Sequence, residues 1–277
     1  MKIKYLGTAA YEGVPSLFCH CAVCREARGL RGRYIRSRSQ ALINGELLLD
    51  FPPDMAWHSN QYGLDWAKIG DCLVTHSHSD HLYPEDVEMA GTDYSGEHRT
   101  MRFYVGRDGY ERLYEIVKKP PVQKNVKLNL IEPGKSCLAG DKMQYKILPL
   151  RANHDPSTSP VIYSITQGGK SILYAHDTGI FPEETWKMLE GEKRFDLVSL
   201  DCTGGIGNYG EWREGHMSLK VNREIVGRMR HKGLVDGNTV IIMSHFSHNS
   251  GDGYGKMAIE TEKYGFLTAY DGMEIEI

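Results

Sequence analysis

Residues 75–83 read "THSHSDHLY", which places His76, His78, Asp80 and His81 in one short run. In an extended segment, side chains two positions apart face the same side, so His76 and His78 can grip one ion together. Asp80 and His81 follow where the run turns and can face a second ion beside the first. Imidazole and carboxylate are ligands suited to zinc, manganese or iron. Random placement gives an H-x-H-x-D-H run only on the order of once per thousand such chains. The competing reading is a polar, histidine-rich loop.

Two ions need more ligands than this run supplies. Strand-like segments elsewhere end where a His or Asp appears: Leu150 before His154, Ala175 before Asp177, Met243 before His245. Ligands gathered at strand ends, on loops held by a sheet, are how a rigid scaffold presents a metal site. Asp177 could bridge two cations, which a neutral imidazole cannot do. His176 is expected to be structural, because its side chain should point opposite to that of Asp177 if the strand continues.

A second cluster is "FCHCAVC", with Cys19, Cys21 and Cys24. Three thiolates at this spacing favour a tetrahedral structural zinc, which still needs a fourth ligand. His20, Cys72, Cys137, Cys202 and a distant histidine are the candidates. Cys72 and Cys202 lie in apolar strand contexts that suit buried core thiols. Near the end, "MSHFSHNSG" at 243–251 offers His245 and His248. Two sites each short of about one ligand fit two histidines.

The remaining punctuation supports a mixed α/β protein. "KIKYLGT" reads as a first strand. "ALINGELLLDF" reads as a hairpin at Asn44-Gly45, the pair preferred by type I′ turns, and "PVIYSITQGGKSILYAHD" as a second hairpin at Gly168-Gly169. "CLVT", "MQYKILPL", "DLVSLD" and "NTVIIMSH" are further short strands. Helices are expected over 54–62, 84–91, 107–119, 182–190 and 218–231, the last capped by Ser218.

With 277 residues, 40% hydrophobic and 25% charged, the chain can bury a sizeable core. A formal net charge of −3 gives no global pull toward nucleic acid or anionic membrane. Charge is uneven, however: six arginines and one acid, Glu26, lie between Arg25 and Arg38. That run could bind substrate phosphates, though such runs more often form a solvated face or pack locally. The start has no apolar core of a secretory signal, and no stretch approaches the roughly twenty apolar residues of a membrane span. Clustered cysteines without an export signal suit thiolate ligation in a reducing cytoplasm.

Taken in order, "HSHSDH", His154, "HDTG" and "SHFSH" resemble the metallo-β-lactamase-fold hydrolases. The cysteine cluster and the terminal His-x-x-His resemble more narrowly the PhnP-type phosphodiesterases, which open a cyclic ribose phosphate. This resemblance implies a four-layer αββα sandwich, two mixed sheets flanked by helices, as one domain over 1–277 with a zinc loop at about 17–26. It implies two divalent metal ions (zinc, manganese or iron), with His76, His78 and His154 on one and Asp80, His81 and His245 on the other, bridged by Asp177. It also implies a structural zinc on Cys19, Cys21, Cys24 and His248. "GHMSL" at 215–219 matches the place of an additional active-site histidine, here His216; without the resemblance it reads as a loop residue after Gly215.

The reaction so implied is metal-assisted hydrolysis of a small phosphodiester, with Asp80 and His216 as catalytic residues. Asp80 would orient the activated water, and His216 would stabilise the transition state or protonate the leaving alkoxide. The expected partner is a small-molecule substrate; a homodimer is compatible, a membrane is not expected, and nucleic acid is not favoured. Three departures flank the site and leave the substrate open: "DFPPD" at 50–54, "DHLYPEDVEM" at 80–89, and His176 before "DTG". The alternatives are an RNA 3′-end endonuclease on the same scaffold and a catalytically inactive, PqqB-like accessory protein.

Overall fold

In the computed structural model, which describes residues 1–96, 98–141, 144–207 and 213–277, the strands form two sheets of seven. The first contains β1 (Lys2–Gly7), β2 (Gln40–Ile43), β3 (Leu47–Leu49), β4 (Asp71–Leu73), β5 (Met101–Val105), β6 (Val126–Leu130) and β14 (Glu274–Glu276), in the order 14-1-2-3-4-5-6. The second contains β7 (Cys137–Ala139), β8 (Tyr145–Arg151), β9 (Val161–Gln167), β10 (Lys170–Ala175), β11 (Leu197–Asp201), β12 (Val240–Ser244) and β13 (Leu267–Thr268), in the order 13-12-11-10-9-8-7. Both are mixed: β14-β1-β2-β3 pair antiparallel and β3-β4-β5-β6 parallel, while β7-β8-β9-β10 pair antiparallel and β10-β11-β12-β13 parallel. Helices flank both sheets, giving the αββα sandwich.

Three apolar cores explain why the strands lack a polar face. Ile43, Leu47 and Leu49 meet Tyr163, Ile165 and Ile172 between the sheets. Their neighbours Leu42 and Leu48 point the other way, against Met55, Val87, Leu113 and Val117 from the outer helices. On the far side of the second sheet, Leu173, Val198, Leu200 and Ile241 pack against Trp186, Leu189, Ile225 and Met229. A strand covered on both faces reads as a continuous apolar run, as in "LLL" of β3.

Both expected turns are present. Asn44 and Gly45 have φ of 52° and 76°, the positive values that a type I′ turn requires, and Gly168 and Gly169 have 58° and 81°. The Ser218 hydroxyl accepts from Val221 N at the start of helix Leu219–His231. The 84–91 helix is two short pieces, Pro84–Val87 and a 3-10 turn Glu88–Ala90. The run "MQYKILPL" begins at Met143, outside the described residues; the strand there is Tyr145–Arg151. Helices Ala22–Leu30 and Tyr254–Glu262 were not expected from the sequence. Among the described residues, no helix is long and apolar enough to cross a membrane.

Strand direction assembles the site. β10, β11 and β12 run parallel, so their C-terminal ends lie side by side on one edge. β3 and β4 do the same in the other sheet. The residues that follow those ends are therefore neighbours in space: Asp50, Thr75–His81, Asp177, Asp201 and His245.

Candidate metal centres

Three groups of ligand atoms meet at this edge. His76, His78 and His154 form the first, Asp80, His81, Asp177 and His245 the second, and Asp177, Asp201, His216 and His245 a third that shares two members with the second; the atoms of each group lie within 4.8 Å of one another. His76 Nε2 lies 2.9 Å from His78 Nδ1, which lies 3.2 Å from His154 Nε2. In the second group His81 Nε2 is 3.2 Å from His245 Nε2 and 3.3 Å from Asp80 Oδ2. Nitrogen ligands around a tetrahedral zinc, each about 2.0–2.1 Å from the ion, are about 3.3 Å apart. Asp177 Oδ2 faces the first two groups, 3.6 Å from His76 Nε2, 2.5 Å from His81 Nε2 and 3.2 Å from His245 Nε2.

The other nitrogen of each ring decides what these contacts are. His81 Nδ1 donates to Asp50 Oδ2 at 2.8 Å, and His154 Nδ1 to the Gly215 carbonyl at 2.9 Å. His76 Nδ1 meets Thr75 Oγ1 at 3.1 Å, and that hydroxyl is committed as a donor to Asp50. His78 Nε2 faces Asp155 Oδ2 at 3.4 Å, and His245 Nδ1 faces Thr203 Oγ1 at 2.8 Å and Asp201 Oδ2 at 3.2 Å. With one proton spent on an outer acceptor, a ring in its neutral form turns a lone pair inward. In the His76, His78 and His154 group these lone pairs converge on one another, and in the second group they converge on carboxylates, so this donor set fits a pair of divalent metals.

The electrostatics of the first two groups differ. Burial holds His76 well below the usual imidazole range, reinforced by its histidine neighbours. Burial acts the same way on His154. Both rings are therefore neutral ligands near pH 7. Burial also opposes charge on His81 and His245, but Asp177 and the other nearby carboxylates outweigh it. His81 is raised well above its ordinary value and His245 to about 10. In that half a cation would replace protons, so binding there releases them.

His216 borders the same cleft, with Nδ1 3.1 Å from Asp201 Oδ2 and 3.2 Å from Asp177 Oδ1. Burial would lower its pKa, but Asp201 and Asp177 raise it. His176 is elsewhere: its nitrogens meet Ser39 Oγ at 3.0 Å and Ser199 Oγ at 2.8 Å. Sequence reasoning missed Asp50, Asp201, Thr203 and Asp155, the partners behind the rings. Asp50 and Asp201 carry the same strand-end signal used for Asp177, in "LLLD" and "LVSLD". Asp50, Asp177 and His245 also share a left-handed backbone, with φ of 68°, 49° and 59°. That conformation is uncommon outside glycine and is best tolerated by Asn, Asp and His.

Cys19, Cys21, Cys24 and His248 form a separate group, again within 4.8 Å. His248 Nδ1 lies 3.6 Å from both Cys19 Sγ and Cys21 Sγ, the spacing of sulfur and nitrogen around zinc. Backbone N–H groups of Cys21, Cys24 and Ser16 donate to the sulfurs of Cys19, Cys21 and Cys24 at 3.4, 3.5 and 3.4 Å, favouring thiolate. The Cys21 amide lowers the Cys19 pKa, while burial pushes the Cys24 thiol up to about 12, so a cation is needed to keep Cys24 ionised beside Cys19. Cys72 and Cys202 are buried in the outer cores instead. Phe246 explains how three residues reach two sites: its N–H donates to Thr8 O at 2.9 Å and its carbonyl accepts from Ala10 N at 3.0 Å. This pins the segment after β12 alongside the loop after β1.

The arginine run is used locally. Arg28 donates to the carbonyls of Cys19 and Ser16 at 2.6 and 2.8 Å, and Arg25 to that of His20, clamping the cysteine loop. Arg36 is buried against Thr8 and Ala269, and Arg38 pairs with Asp54.

The Beta-lactamase superfamily domain model matches residues 48–242, from within β3 to within β12. The chain belongs to the beta-lactamase superfamily. Within it, similarity to individual proteins is low. An octanoyltransferase of Porphyromonas gingivalis is 25% identical over 284 residues, covering 99% of this chain and 51% of that protein. The chain thus spans about half the length of the curated relative it matches. Among crystal structures, a diphosphatase of the PhnP family shares 21% identity at a TM-score of 0.72, covering 100% of this chain and 97% of that one. Zn²⁺-bound PqqB of Methylobacterium extorquens shares 18% at 0.75, with 100% of both chains covered. The short form of human tRNase Z shares 17% at 0.61, covering 100% and 99%. At these identities the likeness is one of fold. Superfamily membership and the clustered ligands together support a metal-dependent hydrolase.

Proposed function

We propose that this protein is a phosphodiesterase acting on small, including cyclic, phosphodiesters at a dinuclear centre, with a structural zinc in the cysteine site. The observation that carries this reading is Asp177, whose Oδ2 faces His76 on one side and His81 and His245 on the other. One carboxylate between two ligand sets is the arrangement of a paired-metal site. Divalent cations held there supply Lewis acidity toward phosphate oxygens and lower the pKa of water.

The chain's own residues do the rest. Asp80, buried beside His81, accepts a hydrogen bond from the attacking water and aims it at phosphorus. His216 donates a proton to the oxygen that leaves as the P–O bond breaks. Asp201 holds the Nδ1 side of that ring, directing the opposite nitrogen into the cleft and keeping the ring protonated nearer neutral pH. Asp50 and Thr75 fix His76 and His81 from behind.

The test is a panel of bis-p-nitrophenyl phosphate, 2′,3′-cyclic nucleotides and ribose cyclic phosphates, assayed with zinc, manganese or iron. Diesters should be cleaved and phosphomonoesters scarcely touched. Turnover of thioesters or lactones with every diester left intact would overturn the reading. His216→Ala should lower kcat roughly a hundredfold with metal content unchanged; wild-type turnover would return His216 to a plain loop residue.

A further inference from the structure

The cleft of about 430 Å³ that holds the first two ligand groups is also walled by Glu12, Ser247 and Asn249. Glu12 Oε1 accepts from the Ser247 hydroxyl, lies 3.4 Å from Asn249 Nδ2 as a second donor, and sits 3.7 Å from His248 Nε2. One turn thus fixes this carboxylate, and the same turn delivers His248 to the cysteines. Among the described residues lining the cleft there is no lysine or arginine; beside the histidines, the charged ones are Glu12, Asp80 and Asp177.

We infer that Glu12 is a specificity-determining residue that rejects a second anionic group on the substrate and accepts a hydrogen bond from a hydroxyl on its unreacting part. The inference rests on the phosphodiesterase reading for the scissile group. Two divalent cations outweigh Asp80 and Asp177 by enough charge for one phosphodiester monoanion. A further phosphate monoester brings about −1.5 to −2 charge at neutral pH. Inside this cleft it would meet Glu12 with no cationic side chain to pair with, which is discrimination by repulsion. A hydroxyl gains a charge-assisted hydrogen bond at the same carboxylate. Substrates would then be single-phosphate, hydroxyl-bearing diesters rather than nucleic-acid chains or multiply phosphorylated nucleotides.

The experiment measures, by calorimetry on the metal-loaded full chain, the affinities of cytidine 3′-monophosphate and cytidine 3′,5′-bisphosphate. Alongside it, turnover is measured on cytidine 2′,3′-cyclic phosphate with and without a 5′-phosphate. Wild type should bind the bisphosphate about tenfold or more weakly, a gap of about 1.4 kcal/mol or more. Glu12→Gln should close most of that gap and Glu12→Asp should retain it, with zinc at the cysteine site counted in both to show the turn intact. Equal wild-type affinities, a gap that survives Glu12→Gln, or no binding of either ligand would overturn the inference. If the gap behaves as expected while neither cyclic diester is cleaved, the phosphodiesterase reading fails and the role of Glu12 stands.

Discussion

His176 and His245 are near neighbours, with ring centroids 6.1 Å apart, and both are buried. Yet both nitrogens of His176 end on serine hydroxyls. His58, also buried, is satisfied the same way by Ser37 Oγ and Gln40 Oε1, each at 2.7 Å. His245 and His81 each have outer acceptors on one nitrogen, while their other nitrogens face each other at 3.2 Å and crowd a single carboxylate oxygen, Asp177 Oδ2. Burial does not separate a ligand from a core histidine. What separates them is whether the second nitrogen has a hydroxyl or amide partner of its own or crowds with other ring nitrogens around a shared carboxylate.

The contrast breaks most readily at His245. His245→Ala should lose a catalytic metal and lower kcat/KM more than about a hundredfold, since even outer partners of metal ligands are worth about 10–100-fold. Elemental analysis with kinetics checks this; a variant with full metal and rate would make His245 another core histidine. Asp50→Ala tests the layer behind. With His81 and Thr75 released, metal affinity or rate should fall about 10–100-fold, read by chelator competition.

A smaller effect on the catalytic pair is expected from His248→Ala. Zinc bound to a folded site contributes to folding free energy, so this variant should lose one tightly held zinc and melt earlier, keeping most of its rate while folded. Zinc counts, melting temperatures and diesterase rates on the His245 and His248 variants, side by side, separate the two sites. Loss of the same metal and the same function in both would merge them.

The core class is distinguished by pH. Burial holds His58 down to about 4, only partly offset by Asp54. A histidine with a folded pKa below its unfolded value of about 6.5 contributes stability that is complete above about pH 6.5. That contribution is lost as pH falls toward 4, by at most about 3 kcal/mol. His58→Gln should flatten the fall in denaturant stability over this window, with metal content unaffected. An unchanged slope would mean that His58 is not held neutral.

The sequence carried the inner layer of this picture and little of the outer. Spacing alone brought His76 and His78 together, and chain order with strand ends brought Asp177 and His245 into view. Asp50 and Asp201 end strands in the same manner but carry no neighbouring histidine, so nothing drew attention to them. Helix Ala22–Leu30 was hidden because it begins inside the cysteine loop and continues through the arginines. Only Val23, Cys24 and Ala27 are buried to mark its inner face. Helix Tyr254–Glu262 has no side-chain cap, and only Met257 and Thr261 are buried. The two-residue strand β13 has too few residues for a periodicity to form.

The left-handed backbone at Asp50, Asp177 and His245 bears on durability as well as function. Non-glycine residues held in such conformations cost of order 1–3 kcal/mol each, a strain the surrounding fold must outweigh. Glycine at any of the three would release part of it. At Asp50 that gain is outweighed by the buried hydrogen bonds its carboxylate accepts from Thr75 N, Thr75 Oγ1 and His81 Nδ1, so the strained backbone is held in place by the same side-chain network that orients the ligands.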